Sequence, residues 1–366
     1  MQNFKYEILG QNADPTPWWH VVDVFNHIDP ERVLCHPSYS INPTVLKPKY
    51  KYVIKSLGYE ETPRFDELVQ WCQMNPEVQF ICLGDIDVYD WVYPDNLQFV
   101  DYRFFYCELA QLLELFRHTL VPVKNKTYKY KFSSLSHRLR QFRAVVTAKL
   151  LSVAKDDSII SWHNQDNMAP GIHSGLIESV MHMDCFKDLD WSFLHKTTAI
   201  DNWDSSYQFK DHPHSILDAR YPAYQEAFVN INNESFWFGW HHIDKIKHMT
   251  PGPYISDKTW KCISTGTMFI NNGQPNTYNF LHEKYGIPFN FDIDLEFDTI
   301  PGDIDRMRAV LDTIDQLVVR DLSDIIDANI EACEQMQQWI LQPGLVQSFV
   351  DYNKKQDEYI LELVSR

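Results

Sequence analysis

Apolar positions change their period several times along the chain, and each change marks an element. In "PEVQFICLG" (76–84) a short unbroken apolar run ends on Gly84, the form of a strand buried on both faces. "ELAQLLELFRHTL" (108–120) has helical spacing, and "VPVKNKTYK" (121–129) breaks it with Pro122 and several polar or basic positions, which reads as a linker. Beyond the break, "YKYKFSSLS" (128–136) predicts a strand, "RLRQFRAVVTAKLLSVA" (138–154) a helix and "SIISW" (158–162) a second strand. Within that helix Leu139, Phe142, Val146 and Leu150 recur at spacings of three and four, which predicts one apolar face. Strand, helix and strand of these lengths imply a parallel pair with a right-handed crossover, the unit of a doubly wound sheet.

Residues 163–222 are rich in His, Asp, Trp and Pro and show no period. "EAFVNINNES" (226–235) reads as a strand with a polar exit. Residues 257–265 predict a helix, Met268–Ile270 a strand closed by a polar Asn-Asn-Gly turn, and "NTYNFLHEKYG" (276–286) a helix ended by Gly286. Residues 303–340 are strongly helical, with apolar Met307, Val310, Leu311, Ile314, Leu317 and Val318. "QPG" (342–344) interrupts them, and 345–364 form a last helix. The expected organisation is an N-terminal α/β lobe over 1–122, a second α/β lobe over 123–341 and a C-terminal helix over 342–366 that packs back on the first lobe.

The chain has 366 residues, of which 44% are hydrophobic and 23% charged, enough for two packed lobes and against wholesale disorder. Its seven cysteines are scattered without a CxxC pair, which argues against a disulfide framework or a zinc site. No apolar run is long enough to cross a bilayer, and the first residues lack the form of a secretion signal. A cytoplasmic protein is expected.

A net charge of −17 argues against a surface made for nucleic acid. The charge is uneven, however: Arg117 to Lys155 holds ten Lys or Arg and no acid, leaving 23 basic against 50 acidic residues elsewhere. This block points to an anionic ligand. Arg138, Arg140 and Arg143 fall where a helix follows a strand, and there an arginine can clamp a phosphate with paired hydrogen bonds. A solvated helix face is the plainer reading.

"YISDKTWKC" (254–262) makes Ser256 an N-cap and lets Asp257 complement the positive end of the helix dipole. Lys258 runs against that dipole, and a bound anion would explain it. "GDIDVYDW" (84–91) sets Asp85, Asp87 and Asp90 after a strand, where a carboxylate could serve as a general base or hold a metal on a diphosphate. The fifteen histidines, including "DHPH" (211–214) and "HH" (241–242), show no HExxH spacing. GxSxG, P-loop and GxGxxG signatures are absent.

Together "KFSSLSHRLRQFRAVVTAKL" and "AFVNINNES…YISDKTWKCISTGTMFINNG" resemble the donor-binding half of α-1,3-fucosyltransferase-like glycosyltransferases. "NTYNFLHEKYGIPFNFDIDLEFDTIPGDIDR" is similar to a loop-and-helix stretch of their viral and bacterial relatives. The resemblance covers roughly 125–340. It implies a GT-B fold, two Rossmann-like lobes with a deep interlobe cleft, and a nucleotide-sugar donor of GDP or UDP type with no required metal and no tightly bound cofactor. On this resemblance Arg143 and Lys258 contact the donor diphosphate, and Glu234 and Ser235 lie near the nucleotide. Asp257 stands where the family has a ribose-binding glutamate, one methylene longer. The acceptor would be a glycan or a hydroxymethylated pyrimidine in viral or phage DNA, with Asp85 or Asp87 as the catalytic carboxylate. A binding module that kept the nucleotide lobe and lost its chemistry is the alternative.

Overall fold

The computed structural model describes residues 29, 31–36, 43–56, 65–84, 94–102, 113, 117–136, 140–162, 172–195, 200–201, 222–234, 253 and 255–365. They fall into two compact units, one drawn from Met1–Gln111, His241–Gly252 and Gly344–Arg366, the other from Leu112–Trp240 and Pro253–Pro343. Each unit is built on its own parallel sheet, a Rossmann-like α/β arrangement. No described helix is long and apolar enough to cross a membrane.

The first unit has strands β1 (Val33–His36), β2 (Tyr52–Ser56), β3 (Gln79–Gly84) and β4 (Leu97–Asp101), parallel and side by side in chain order. Alternation along β3 divides its side chains between two cores. Phe80 and Cys82 pack with Leu68, Trp71 and Cys72 of helix α1 (Phe65–Met74). Ile81 and Leu83 pack on the opposite face with Ile360 and Val364 of the last helix, Leu345–Ser365. Sequential parallel strands with right-handed crossovers carry their connecting helices on one face. The other face needs a helix from elsewhere, and the C-terminal one covers it. Tyr352 on that helix donates to Asp101 Oδ2 at 2.7 Å.

The second unit has strands β5 (Tyr130–Ser136), β6 (Ser158–Trp162), β7 (Ile200–Asp201), β8 (Ala227–Asn233) and β9 (Met268–Asn272), in the order β7-β6-β5-β8-β9. Among the described strands only the two-residue edge strand β7 runs antiparallel. Its helices are α2 (Gln141–Val153), α3 (Ile172–Met181), α4 (Asp257–Thr265), α5 (Thr277–Tyr285), α6 (Asp303–Val318) and α7 (Leu322–Ile340), after which the Leu345–Ser365 helix of the first unit is α8. From β5 the chain goes through α2 to β6 on one side, then returns to β8 on the other. The strand order therefore reverses between β5 and β8, the topological switch point at which open α/β sheets bind ligands.

Several expectations change. Helix α2 is buried from Phe142 through Leu150 rather than along one face. The 303–340 stretch is two helices, α6 and α7, parted at Val319–Asp321. The 121–129 segment is pinned rather than a free linker. Gln337 Nε2 donates to Val121 O at 3.1 Å, Gln337 Oε1 accepts from Val123 N at 3.2 Å, and Val123 is buried. Gly266 ends α4 at φ +63°, and an added Cβ would stand 2.3 Å from Val123 Cγ2, so only glycine fits the turn. Of the 108–120 helix Leu113, helical and buried, is described, and the end, where Arg117–Thr119 make one 3₁₀ turn.

Candidate functional site

The carboxyl ends of β5, β8 and β9 carry polar side chains that are buried and tied to one another. Successive residues of a strand face opposite sides, so the ties form two layers. On the α2 side Asn233 Nδ2 donates to Ser134 Oγ at 2.8 Å and to Ser136 Oγ at 3.2 Å, spanning the switch point. Asn272 Nδ2 donates to Asn233 Oδ1 at 2.6 Å and to Phe142 O at 3.4 Å, which brings in β9 and the start of α2. On the α4 side Asn230 Nδ2 donates to Ser133 Oγ at 2.8 Å, and Asn232 Nδ2 donates to Thr259 Oγ1 at 2.6 Å. Asparagine in a strand is a poor propensity choice, and burying it needs these partners.

Glu234 follows directly on β8 and is 4% exposed. Its Oε1 accepts from Thr259 Oγ1 at 2.6 Å, from Ser256 N at 3.1 Å and from Asn232 Nδ2 at 3.4 Å. Ser256 caps α4 as its sequence position predicts, its Oγ accepting from Lys258 N at 3.1 Å. Lys258 Nζ lies 3.4 Å from the same oxygen. Across the switch point, Arg143 in the first turn of α2 donates from Nη2 to Glu234 O at 3.0 Å. Arg143, Glu234, Ser256 and Lys258 thus form one hydrogen-bonded line from the start of α2 to the start of α4. Arg143 is 5% exposed, whereas Lys258 is half-buried.

The remaining expected residues divide as follows. Asp257 is the first residue of α4. Arg140 stands at the N-cap of α2 and makes no side-chain cap. Arg138, Ser235, Asp85, Asp87 and Asp90, with the histidine pairs at 211–214 and 241–242, lie outside the described residues.

The basic block is largely used in holding the second unit together. Arg117 Nη2 donates to Leu341 O at 3.1 Å, and Lys131 Nζ to Val318 O and Arg320 O at 2.9 and 2.6 Å. Both place a cation at a helix carboxyl end, where the dipole favours it. Lys149 pairs with Asp315, and Lys129 with Glu226 at 3.1 Å. Lys126, half-buried, donates to Tyr224 O at 2.8 Å, and desolvation brings its ammonium down to about 7. These cations do not share one surface, and among the described residues of the block Arg143 meets Glu234.

A support layer lies beneath the β9 end. Gly273 approaches so closely that a Cβ would meet Glu234 Cβ at 2.8 Å. Arg306 on α6, 1% exposed, donates from Nε to Gly273 O at 3.2 Å and pairs with Asp303 at 3.1 Å. Tyr278 closes the free edge of β9, donating to Phe269 O at 2.6 Å and accepting from Asn271 N at 3.2 Å. Asp298 accepts from Tyr278 N at 3.0 Å, and burial pushes its carboxyl up to about 6, against the pull of those donors and of Arg306. Burial likewise raises Asp303 to about 6, with Arg306 opposing.

Asn232, Asn233, Asn271, Asn272, Thr259, Gly273 and Arg306 escaped the sequence reading. The usable signal was the pair of Asn-Asn steps, each at the end of an apolar strand and followed by Glu234 or Gly273. Among the described residues no group of three or more His, Cys, Asp or Glu could hold a metal ion. No protein-family model matches this chain, and neither a characterised protein nor a solved structure matches it at a significant level.

Proposed function

We propose that this chain is a nucleotide-sugar-dependent glycosyltransferase of GT-B type whose second unit takes the donor. The supporting observation is the line from Arg143 through Glu234 and Ser256 to Lys258 across the β5/β8 switch point. Two helix amino ends, of α2 and α4, begin on this line, and the positive ends of their dipoles favour a diphosphate. Lys258 and Arg143 would neutralise the charge that grows on the leaving diphosphate, fixed donors needing no reorganisation during reaction. Asp257, at the head of α4, would meet the ribose hydroxyls beside it. Asp85 or Asp87 in the first unit would take the acceptor proton.

The acceptor is a hydroxyl on a glycan or on hydroxymethylated pyrimidine DNA. Salt-titrated binding to duplex DNA separates the two, because phosphate contacts weaken steeply with salt. The shorter Asp257 favours a second reading, a binding module without transferase chemistry. Measured transfer or hydrolysis of any nucleotide-sugar ends that reading. Activity abolished by EDTA would instead point to a metal held by Asp85 and Asp87.

Binding of nucleoside diphosphates to the full chain tests the main reading. Lys258→Ala and Arg143→Ala should each weaken it about tenfold to a hundredfold, the worth of a charge-assisted hydrogen bond to phosphate. Unchanged binding in both folded variants would overturn the site.

A further inference from the structure

We propose that Asn232 Oδ1, Glu234 Oε2 and Asn271 Oδ1 bind a monovalent metal cation between the ends of β8 and β9. Each of these oxygens is buried and has no hydrogen-bond partner among the described residues. Glu234 is 4% exposed, and Asn232 and Asn271 are each 1% exposed. Native proteins rarely leave such acceptors unpaired, and three on the adjoining ends of two paired strands call for a donor or a cation.

Their convergence follows from register. Asn232 and Asn271 are direct partners in the parallel β8–β9 ladder, so their side chains leave the same face. Glu234, two residues past Asn232, turns to that face as well, toward Thr259 of α4. At Gly273 the two sides meet: the position of a Cβ there lies 3.0 Å from Asn271 Oδ1 and 3.2 Å from Glu234 Cγ.

The amide orientations are set by their neighbours. Thr259 gives its one hydroxyl proton to Glu234 Oε1 and can only accept from Asn232, so the Asn232 nitrogen faces Thr259 and its oxygen turns away. Asn271 Nδ2 donates to Gln274 O at 3.1 Å and to Thr277 Oγ1 at 2.8 Å. A carbonyl can only accept, which leaves the Asn271 oxygen on the side of Glu234.

Charge selects the ligand class. Glu234 makes no ion pair among the described residues, and Arg143 meets its backbone carbonyl rather than its carboxylate. A buried carboxylate normally has a counter-charge. A water would supply protons without that charge. One carboxylate with two neutral amide oxygens matches a single positive charge on a hard, oxygen-seeking ion, whereas divalent sites gather more carboxylates. The ion would fix the Glu234 side chain, and with it the Ser256 cap, whether or not the neighbouring groups grip a nucleotide.

Thermal unfolding of the full chain, without nucleotide, tests this in chlorides of lithium, sodium, potassium, rubidium and N-methylglucamine at equal ionic strength. Sodium or potassium should raise Tm by about 2–5 °C over N-methylglucamine, and Asn271→Leu should lose that ion-specific rise. Crystals of the wild-type chain soaked in thallium(I) should show an anomalous peak at the three oxygens, a readout that stands even if Asn271→Leu does not fold. Equal Tm in all salts, a rise that survives Asn271→Leu, or thallium bound only elsewhere would each overturn the proposal. Because no nucleotide is present, these results are independent of whether the donor site holds.

Discussion

The two sheets of this protein solve the same packing problem with opposite chemistry. In the first unit β1 to β4 present Val33, Leu34, Cys35, Val53, Ile54, Phe80, Ile81, Cys82 and Leu83, nearly all apolar and shared between α1 and α8. In the second, the buried carboxyl halves of β5, β8 and β9 present Ser133, Ser134, Ser136, Asn230, Asn232, Asn233, Asn271 and Asn272. Nearly apolar strands suffice to build a parallel sheet, as the first unit demonstrates, with Lys55 on β2 its buried polar exception. The second accepts the desolvation cost of these hydroxyls and amides, offset where they find one another as partners. Among the described strands, buried side-chain amides gather at the switch point of the second sheet and not in the first.

The largest effect should come from opening a cavity in the apolar sheet. Phe80, fully buried with its ring 5.2 Å from that of Trp71, should cost about 3–5 kcal/mol when changed to alanine, read as a lowered urea midpoint for the first unit. The polar sheet should break differently. Asn233→Leu keeps the branching of the side chain but strips the partners of Ser134, Ser136 and Asn272, and should cost about 2–4 kcal/mol in the second unit's transition. The volume-conserving Ile54→Leu in the first sheet should cost less than about 1.5 kcal/mol. Equal losses at Asn233 and Ile54 would remove the distinction between the sheets.

Asp298 sharpens the comparison through pH. Its folded carboxyl is held at about 6, against 3.8 for the free group, because burial opposes its charge. The folded state therefore binds the proton more tightly than the unfolded chain. The resulting stabilisation is full below about pH 4 and is lost as pH rises through 6. Asp298→Asn, which mimics the protonated form, should abolish a decline of about 2 kcal/mol between pH 4 and 7, measured by urea unfolding across that range. A parallel pH profile in wild type and variant would contradict it. The smallest effect belongs to the polar margin of the first unit: Tyr352→Phe removes one hydrogen bond to Asp101 and should cost about 0.5–1.5 kcal/mol.

The elements of the second unit were legible where local punctuation is strong. Helix 257–265 and strand 158–162 have the bounds that their flanking residues predict, because Ser256 and Gly266 act as cap and stop whatever surrounds them. The strand ends were not legible. Asn-Asn before Glu or Gly reads as a turn on propensity, yet both pairs remain in the ladder to Asn233 and Asn272, held by side-chain bonds to residues far along the chain. Arg143 and Lys258 were visible as charges out of place. Their link through Glu234 depends on two helices and a strand meeting at a switch point, which no local window contains. The basic block misled for the same reason: Lys131 and Arg117 find their partners almost two hundred residues away or more, at the ends of α6 and α7.

The central claim is that the Arg143–Glu234–Ser256–Lys258 line grips the diphosphate of a sugar donor. Calorimetric titration of GDP- and UDP-sugars into the wild-type chain and into Lys258→Ala, the more accessible of the two cations, tests it most directly. The wild-type chain should bind saturably and the variant about tenfold to a hundredfold more weakly, with its Tm unchanged. Failure of every nucleotide-sugar to bind, or equal affinity for both proteins, would contradict it.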